Sequence, residues 1–338
     1  MIVHICCSVD SWYFLGKIRE KYPDERLIGF FYNPNIHPES EYQTRLIDAR
    51  RSCEQLGIEW QEGEYDPENW MQAAKGLELE PEKGARCSLC FDLRLFKTAE
   101  LADRLGHSTY TTTLLMSPKK DFSQLEGAAN KLSERFAARF VIEDFRKGGG
   151  TQKQFALAKE KKAYQQNYCG CLYALSAQRA AQQKPAIELF SAMDRFDAAS
   201  PDERFRLYAE REALEKAGRN YRIIKQRFLN WRLLSGGLWD EQGEAIDAEI
   251  LPYSTGKLDL KTALIALDEA RAVFEKQPGW VVTRAWTQGK ESLRRALGLG
   301  EHDLTPVFIV EKLPAGTIRV RLRAELWEDA RELLVALG

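Results

Sequence analysis

The chain has 338 residues, of which 44% are hydrophobic and 29% are charged, with a formal net charge of −1. Its length predicts one or two domains, and its apolar runs are too short to span a membrane. A nearly neutral chain has no overall electrostatic attraction to nucleic acid, so any such binding needs a local basic patch.

The first residues lack the basic stretch and apolar core of a secretory signal, so we expect a cytoplasmic protein. Thiols stay reduced in that compartment. The seven cysteines of the chain are therefore more typical of metal ligands or redox groups than of a disulfide framework.

A short apolar run at the start of the chain, MIVHICCSVDS, ends in two adjacent thiols, Cys6 and Cys7. The run predicts a buried first strand, and ligands of α/β proteins collect beyond the carboxyl ends of parallel strands. The next segment predicts a helix capped by Asp10 or Ser11. Thiols near a helix N-terminus bind metals readily, although an isolated cysteine is more often a small buried hydrophobe.

Polar residues follow the predicted second strand, RLIGFFYN, in the loop NPNIHP. Asn35 and His37 lie where ligand contacts are common, although most such loops are only turns. The following helical pattern, which Gly57 ends, places Cys53 on the apolar stripe and hence in the core. A third strand, IEWQEGEYD, and a short helix are expected after it.

A C-x-x-C motif, Cys87 and Cys90, opens a strongly amphipathic helical pattern. This spacing occurs in zinc sites, iron–sulfur clusters and dithiol redox pairs, and it does not choose among them. We expect a fourth strand in HSTYTTTLLM, a helix in SQLEGAANKLSERFA, and a fifth strand in RFVIEDFRKGGG that runs into a polar turn.

Cys169 and Cys171 form a C-x-C motif with only glycine between the thiols. Glycine lets the backbone tighten so that both sulfurs face one partner or each other. A disulfide in so small a ring is strained, and strained disulfides are the readily reduced, catalytic kind. Metal ligation by both sulfurs is the alternative.

The three cysteine pairs all fall at the ends of predicted elements. One tetrahedral zinc or one cubane cluster uses four thiols, which leaves a pair for redox chemistry or a second metal. With only four histidines in the chain, a histidine-rich zinc centre is disfavoured. Sulfur-rich sites favour iron–sulfur clusters or structural zinc, and spacing leaves these two open.

Strands and helices alternate to about residue 175, which predicts an α/β domain over residues 1–180 with a parallel sheet covered on both faces. The segment QQKPA is typical of a linker. We expect a second domain over residues 186–338, mostly helical or α+β, with a hairpin in TPVFIVEKLPAGTIRVRL and a last helix in LWEDARELLVAL.

Six of these stretches resemble, in order, the QueH family of epoxyqueuosine reductases, which perform the last step of queuosine biosynthesis on tRNA. They are HICCSVD, YNPNIHP, ARCSLCFDLRLFKTAE, TTTLLMSPKK, DFRK and YQQNYCGC. The resemblance, which ends near residue 176, implies a Rossmann-like parallel sheet of the adenine nucleotide α-hydrolase type. The sequence CCSVDS stands where nucleotide-binding relatives of that type have an S-G-G-x-D-S phosphate loop, so ATP use is not expected.

The resemblance also implies the site residues. It places a [4Fe-4S] cluster on Cys6, Cys7, Cys87 and Cys90, and a redox-active pair on Cys169 and Cys171. Asp10 then becomes an acid or a ligand of a second metal ion, and Asn35 and His37 become candidate substrate contacts, with His37 a second candidate proton donor.

The implied reaction removes the epoxide oxygen of epoxyqueuosine in the tRNA anticodon with two electrons and two protons, so an external electron donor is a required partner. The alternative is an RNA-binding module without redox activity, in which bound zinc only stabilises the fold. A brown protein indicates the cluster, and a colourless protein with stoichiometric zinc indicates the module.

Positive charge is concentrated between Arg204 and Arg232, with nine Lys or Arg against three Glu. Arg219, Arg222 and Arg227 are candidate phosphate contacts, and interleaved aromatic rings, including Phe205, Tyr208, Tyr221, Phe228 and Trp231, are candidates for stacking on unpaired bases. The alternative is a core stripe of ordinary helices whose charges are only solvated, formed by Phe205, Tyr208, Ile223, Ile224 and Phe228.

Overall fold

The computed structural model describes residues 1–118, 120–183, 201–251, 267–268, 271–272, 281–284, 307–312, 316 and 318–337. The chain divides into two compact units, Met1–Pro185 and Ala186–Gly338. In the described part of the chain, no helix is both long and apolar enough to cross a membrane.

The first unit is built on a five-stranded sheet in which all neighbouring strands are parallel, in the order β3-β2-β1-β4-β5. The strands are β1 (Ile2–His4), β2 (Ile28–Phe31), β3 (Glu59–Glu62), β4 (Thr109–Thr112) and β5 (Arg139–Phe140). The order confirms the predicted Rossmann-like sheet. It also puts β1 in the centre, so the residues that follow β1 are flanked by the ends of β2 and β4.

Helices connect these strands and cover the sheet. They are α1 (Ser8–Lys21), α2 (Glu39–Gln55), α3 (Pro67–Ala73), α4 (Ala85–Arg104), α5 (Phe122–Leu132), α6 (Gly150–Glu160) and α7 (Leu172–Ala181). Helix α1 packs against α2 and α6, whereas α4 packs against α5. The two groups shield the strands, and β1 and β2 are accordingly buried throughout their length.

Cys53 lies in the core of this unit, as predicted from its place on the apolar stripe of α2. The residue is fully buried, and burial raises the pKa of its thiol to about 12. A thiol with such a pKa is protonated and unreactive at neutral pH. Cys53 is therefore a structural residue, and its unreactive thiol is the one with which the other six thiols are compared below.

Three expectations about the first unit were wrong. Helix α1 begins at Ser8 with Cys7 as its N-cap, so Asp10 and Ser11 lie within its first turn instead of capping it. The fourth strand is short, because TLLM forms a 3-10 turn after it. No helix was expected between the fifth strand and the C-x-C motif, but after the expected polar turn, at residues 145–149, helix α6 begins at Gly150, the last glycine of a run that hides its start in the sequence.

The second unit contains helix α8 (Pro201–Lys216) and a long antiparallel ribbon of β6 (Tyr221–Trp239) and β13 (Arg319–Ala336). Strand β7 (Ala245–Ile246) pairs with β6. A separate sheet has β12 (Val307–Val310) between β11 (Val281–Arg284) and β8 (Ala248–Leu251), and β9 (Leu267–Asp268) pairs with β10 (Arg271–Ala272). Among the two expected classes, this unit is α+β.

The last helix predicted for this unit was wrong, and so was the hairpin before it. LWEDARELLVAL lies almost entirely in β13, and β12 pairs with β11 and β8 instead of with β13. The segment has good helix formers, but pairing with β6 continues along the whole strand and overrides that local preference. The predicted QQKPA linker lies largely outside the described residues.

Candidate active site

Polar and sulfur-bearing residues meet at the carboxyl ends of β1, β2 and β4. Cys6 follows β1, Asn33 follows β2 and Thr113 follows β4. The backbone N–H of Cys6 donates to Thr113 Oγ1 at 3.1 Å, and the Asn33 side-chain amide donates to Ile5 O at 2.9 Å. These bonds tie the three strand ends together and fix the direction in which the Cys6 thiol points.

Cys6, Cys7 and Asp10 form a compact group at the start of α1, with ligand atoms within 4.8 Å of one another. The Cys6 sulfur lies 3.7 Å from the Cys7 sulfur and 3.3 Å from Asp10 Oδ2. Because α1 begins at Ser8, both thiols stand at its N-terminus, where the helix dipole favours negative charge.

Hydrogen bonds distribute the protons within this group. The Cys7 thiol donates to the Cys6 sulfur, and with help from the charge of Arg94 this lowers the pKa of Cys6 to about 5. Burial and the negative charge on Cys6 raise the pKa of Asp10 well above its usual value. The Gln154 amide on α6 donates to Asp10 Oδ1 and holds the carboxyl group in place.

The C-x-x-C motif lies in the first two turns of α4. Cys87 is half-buried and accepts a hydrogen bond from the backbone N–H of Lys83 at 3.3 Å. Cys90 is buried, and Arg94, one turn further along the helix, donates from Nη1 to its sulfur at 3.8 Å. Both sulfurs thus have donors directed at them, while burial raises the pKa of the Cys90 thiol.

The C-x-C motif lies in a tight loop before α7 that several backbone contacts clamp. Gly170 has φ +100°, a conformation that favours glycine, and its carbonyl accepts from the His37 N–H at 2.9 Å. Arg45 donates to the carbonyls of Cys169 and Tyr168 at 3.2 and 3.0 Å. Glu41 in turn holds Arg45 through a buried ion pair at 2.8 Å.

The two thiols of this loop are inequivalent. The Cys171 thiol donates to the Cys169 sulfur and, together with the positive charge of Lys120, lowers the pKa of Cys169 to about 5. The same contact and burial raise the pKa of Cys171 well above its usual value. At neutral pH the pair therefore consists of a thiolate and a thiol that are hydrogen-bonded to each other.

One cavity of about 990 Å³ brings these groups together. Five cysteine residues line it, with polar and charged residues between them: Cys6, Cys87, Cys90, Cys169, Cys171, Asp10, Asn35, Arg45, Arg94 and Lys120. Cys7 lies behind Cys6, packed against Val9 and Ala158. The cavity therefore gathers thiols from β1, α4 and the C-x-C loop, which lie far apart in the sequence.

The two loop residues after β2 differ in position. Asn35 lines the cavity, and its buried Oδ1 has no hydrogen-bond partner among the described residues. The described cavity wall does not include His37, whose ring packs on Trp70 with centroids 5.8 Å apart. His37 Nδ1 contacts Asn35 O at 3.0 Å, and burial lowers the pKa of the ring. His37 thus supports the loop after β2 from outside the described cavity wall, through its contacts with Trp70 and Asn35.

The candidate RNA-binding arginines belong to the second unit and are exposed. Arg219 precedes β6, whereas Arg222 and Arg227 lie within it, so the helical interpretation is wrong from Tyr221 onward but correct up to Lys216, the end of α8. Side chains alternate along a strand, and Arg222 and Arg227 are five positions apart with a continuous register. They therefore extend from opposite faces of the ribbon.

Of the aromatic rings proposed to stack on RNA bases, Tyr208 and Tyr221 are 2% and 7% exposed. These two rings are buried in the second unit and are unavailable for stacking. The core alternative is therefore correct for Tyr208, but it is wrong for Ile224, which is exposed. Phe205 is half-buried. The side chains of Phe228 and Trp231 lie outside the described part of the structure.

Sequence reasoning missed three residues that shape the site: Arg45, Arg94 and Gln154. Each has a partner far away in the sequence: Gln154 contacts Asp10 across 144 residues, Arg45 contacts Cys169 across 124, and Arg94 contacts Asn33 across 61. A polar residue at one position of a helical pattern gives no sign of such a contact. The only available signal was that Arg94 falls one turn after Cys90, on the same side of α4.

The donor set fits a metal centre. Thiolates are soft ligands that select iron–sulfur clusters and zinc, and several thiols line one cavity here. Two thiolates bound to one tetrahedral ion through bonds of about 2.3 Å are about 3.8 Å apart. The Cys6 and Cys7 sulfurs, at 3.7 Å, therefore have the spacing for a shared metal atom, with Asp10 as an oxygen donor.

A parallel sheet whose strand ends carry a thiol-lined cavity defines the class of this protein: an α/β protein with a candidate site at the carboxyl ends of its strands. The profile of the family described as "Epoxyqueuosine reductase QueH" matches residues 1–177. An "Epoxyqueuosine reductase QueH" of Helicobacter pylori (strain ATCC 700392 / 26695) is 40% identical, over 97% of this chain and 98% of its own length. The chain belongs to the QueH family of epoxyqueuosine reductases, which are oxidoreductases.

Two further comparisons differ in extent. The "Epoxyqueuosine reductase QueH" of Thermotoga maritima is 34% identical and covers 53% of this chain but 92% of its own length. Among solved structures, the "U34-tRNA thiolase NcsA from Methanococcus maripaludis with its [4Fe-4S] cluster" aligns with a TM-score of 0.33 at 15% identity, over 64% of this chain and 67% of that one. That likeness is too low to bear on the chemistry.

Proposed function

We propose that this chain converts epoxyqueuosine in tRNA to queuosine at the thiol-lined cavity of its first unit. Family membership supports the reaction, and the observation that carries the proposal is the convergence of thiols from three separate segments on one cavity. The epoxide gains two electrons and two protons, its oxygen leaves as water, and an alkene remains on the cyclopentane ring.

We further propose that Cys6, Cys7, Cys87 and Cys90 hold a [4Fe-4S] cluster, with Asp10 available to a second metal ion. Their sulfur chemistry and the cavity support this, and the spacing within the Cys6–Cys7–Asp10 group supports the second ion. When bound, the cluster would supply single electrons for the reduction of the epoxide.

In this proposal, Cys169 and Cys171 supply the two electrons that reduce the epoxide. Oxidation of the thiolate and thiol to a disulfide releases two electrons and one proton, which leaves one proton to come from another group. The ionised Cys169 is the nucleophilic partner of the pair. An external electron donor, such as a dithiol, then reduces the disulfide and restores the pair.

The chain's own groups provide the remaining proton and the positioning of the substrate. Where Asp10 does not ligate a second metal ion, it is the proposed proton donor, because its carboxyl group touches Cys6 and lines the cavity. Asn35 is the proposed substrate contact, since its unpartnered Oδ1 is an acceptor beside the thiols. His37, which supports Asn35, is assigned to the loop's geometry instead of to proton transfer.

The second unit is proposed to contribute tRNA docking through the basic residues at and before β6. Arg219, Arg222 and Arg227 are exposed, and basic side chains neutralise RNA phosphates. Relatives such as the Thermotoga maritima protein align almost entirely within half of this chain. The second unit is therefore proposed to assist binding, while the first unit carries the chemistry.

The test is the replacement of one cavity thiol in the anaerobically purified full chain. Cys87→Ser removes a soft ligand, so we expect loss of bound iron, loss of absorbance near about 400 nm and loss of conversion of epoxyqueuosine-containing tRNA. Cys53→Ser is the matched control because it removes a thiol from the core, outside the cavity wall, and should keep iron and turnover.

Full iron content and full turnover in Cys87→Ser would contradict the ligand assignment. A colourless parent protein that contains one equivalent of zinc and converts no substrate would instead support the second candidate, a zinc-stapled RNA-binding module. That candidate is favoured only by the tetrahedral spacing of the Cys6 and Cys7 sulfurs.

A further inference from the structure

Arg94 is a buried cation in the wall of the cavity, and its side chain is 5% exposed. Its guanidinium group makes three contacts: Nη2 donates to Asn33 Oδ1 at 2.6 Å, Nε donates to His4 Nε2 at 3.3 Å, and Nη1 donates to Cys90 Sγ at 3.8 Å. A guanidinium keeps its proton in proteins, and a buried charge is stable only when an opposite charge compensates it.

Two of these partners carry no negative charge. Asn33 is an amide, and its own nitrogen is committed to Ile5 O. His4 contacts Arg94 through a ring nitrogen, and an imidazole side chain does not supply the negative charge that would balance a guanidinium. Within the described residues, no carboxylate forms an ion pair with Arg94. The compensating charge must therefore come from sulfur.

The thiols around Arg94 come from two different elements. Cys90 is one turn away on α4 and in contact with Nη1, and Cys6 follows β1, the strand whose His4 contacts the guanidinium group. Both cysteines line the same cavity. The contacts with Asn33 and His4, which tie Arg94 to β2 and β1, hold the cation at a fixed place beside these sulfurs.

We propose that Arg94 is a positioning residue whose fixed charge balances the cavity thiolates and raises the reduction potential of the iron–sulfur centre that they hold. This inference rests on the proposed function. The reduced centre carries one more negative charge than the oxidised centre, so a nearby cation stabilises the reduced form more. Arg94 thereby eases electron uptake without contacting the substrate.

The test compares Arg94→Gln, which is neutral, with Arg94→Lys, which keeps the charge, in the full chain purified anaerobically. Iron per chain is measured first, and the midpoint potential is then measured by a redox titration followed by visible absorbance. Arg94→Gln should shift the potential to more negative values, whereas Arg94→Lys should remain near the parent. Lys131→Gln, which removes an exposed cation paired with Asp92, should cause no shift.

Arg94→Gln with full iron and the parent potential would overturn the inference. Loss of iron from both Arg94 variants, with circular dichroism unchanged, would also overturn it, because the shape of the side chain and not its charge would then matter. Retention of iron in Arg94→Lys alone would support it. Arg94→Met provides a second neutral variant if Arg94→Gln does not fold. A parent without iron contradicts the proposed function itself, and that measurement precedes every comparison.

Discussion

The Cys169 and Cys171 thiols differ in protonation although one glycine separates them. Their hydrogen bond and the charge of Lys120 stabilise the Cys169 thiolate, so the thiolate is present above pH about 5 and is lost as the pH falls through that value. Cys171 stays protonated because burial and the negative Cys169 oppose its ionisation. Such a pair is prepared for disulfide formation, in which a thiolate is the nucleophile.

We therefore expect Cys171→Ser to keep its bound iron and to lose turnover. The serine hydroxyl still donates a hydrogen bond to Cys169, but it cannot form a disulfide or release two electrons. Iron analysis and conversion of modified tRNA under single-turnover conditions measure the two effects separately. Cys53→Ser is again the matched control, since it lacks one thiol but keeps the pair.

Loss of iron from Cys171→Ser would make Cys171 a metal ligand instead of a redox group. A further check uses iodoacetamide at pH 6 on the parent protein. Cys169 should react readily because its pKa is about 5, whereas Cys53, with a pKa of about 12, should not react.

At the scale of single residues, the sequence located the cysteines but not their environment. Adjacent and closely spaced thiols are visible as motifs, and Cys53 was recognisable as a core residue from its helical stripe. The polar residues that hold the site could not be found in this way. Gln154 contacts Asp10 across 144 positions, and Arg45 contacts Cys169 across 124, so only the fold brings them together.

At the scale of elements, the C-x-C loop depends on glycine for two physical reasons. Gly170 has φ +100°, and a Cβ at this position would lie 2.8 Å from Ile36 Cγ1 and 3.2 Å from Arg45 Nη1. The loop is thus pressed against the loop that follows β2, to which it is joined by the Ile36–Cys171 bridge. Its shape sets the positions of both thiols.

We expect Gly170→Ala to move the thiols apart and to abolish turnover. The left-handed backbone costs about 1–2 kcal/mol for a residue with a Cβ, and the clash adds about 1–3 kcal/mol. Gly57→Ala is the matched control, because Gly57 has φ +62° but open space around it. Urea unfolding should show the backbone cost in both variants and the added clash only in Gly170→Ala, and turnover should be lost only in Gly170→Ala.

Normal turnover in Gly170→Ala would mean that the loop need not keep this geometry.

Local signals predicted elements such as α2 and α4 well, because each has a strong apolar stripe and clear ends. They failed for β13, where a helical composition is overruled by pairing with β6 across the length of the strand. They also failed for the start of α6, since the preceding glycines suggest a turn.

At the scale of the whole molecule, the two units differ in how far their sequences reveal them. The alternation of strands and helices in the first unit predicted its sheet, because a parallel sheet requires crossover helices. In the second unit, β6 pairs with β13 about a hundred residues later. Pairing over such a distance leaves no periodic signal, so the class of the unit was predictable only as one of two alternatives.

The last prediction concerns RNA docking by the second unit. Reversal of all three exposed arginines, with Arg219→Glu, Arg222→Glu and Arg227→Glu, should weaken tRNA binding and flatten its salt dependence. Each lost phosphate contact lowers the slope of log affinity against log salt by about one. Filter binding or fluorescence anisotropy over a salt series measures both quantities.

The geometry of β6 sharpens this expectation. Arg222 and Arg227 extend from opposite faces of the ribbon, so RNA that docks on one face contacts only one of them. We therefore expect one of the two single reversals, not both, to lower the salt slope. The matched control reverses three exposed cations of the first unit outside the cavity wall, Arg104, Lys131 and Arg139, with the same change in net charge. If the first triple variant binds tRNA like the parent at every salt concentration, or no more weakly than this control, the ribbon is not the docking element.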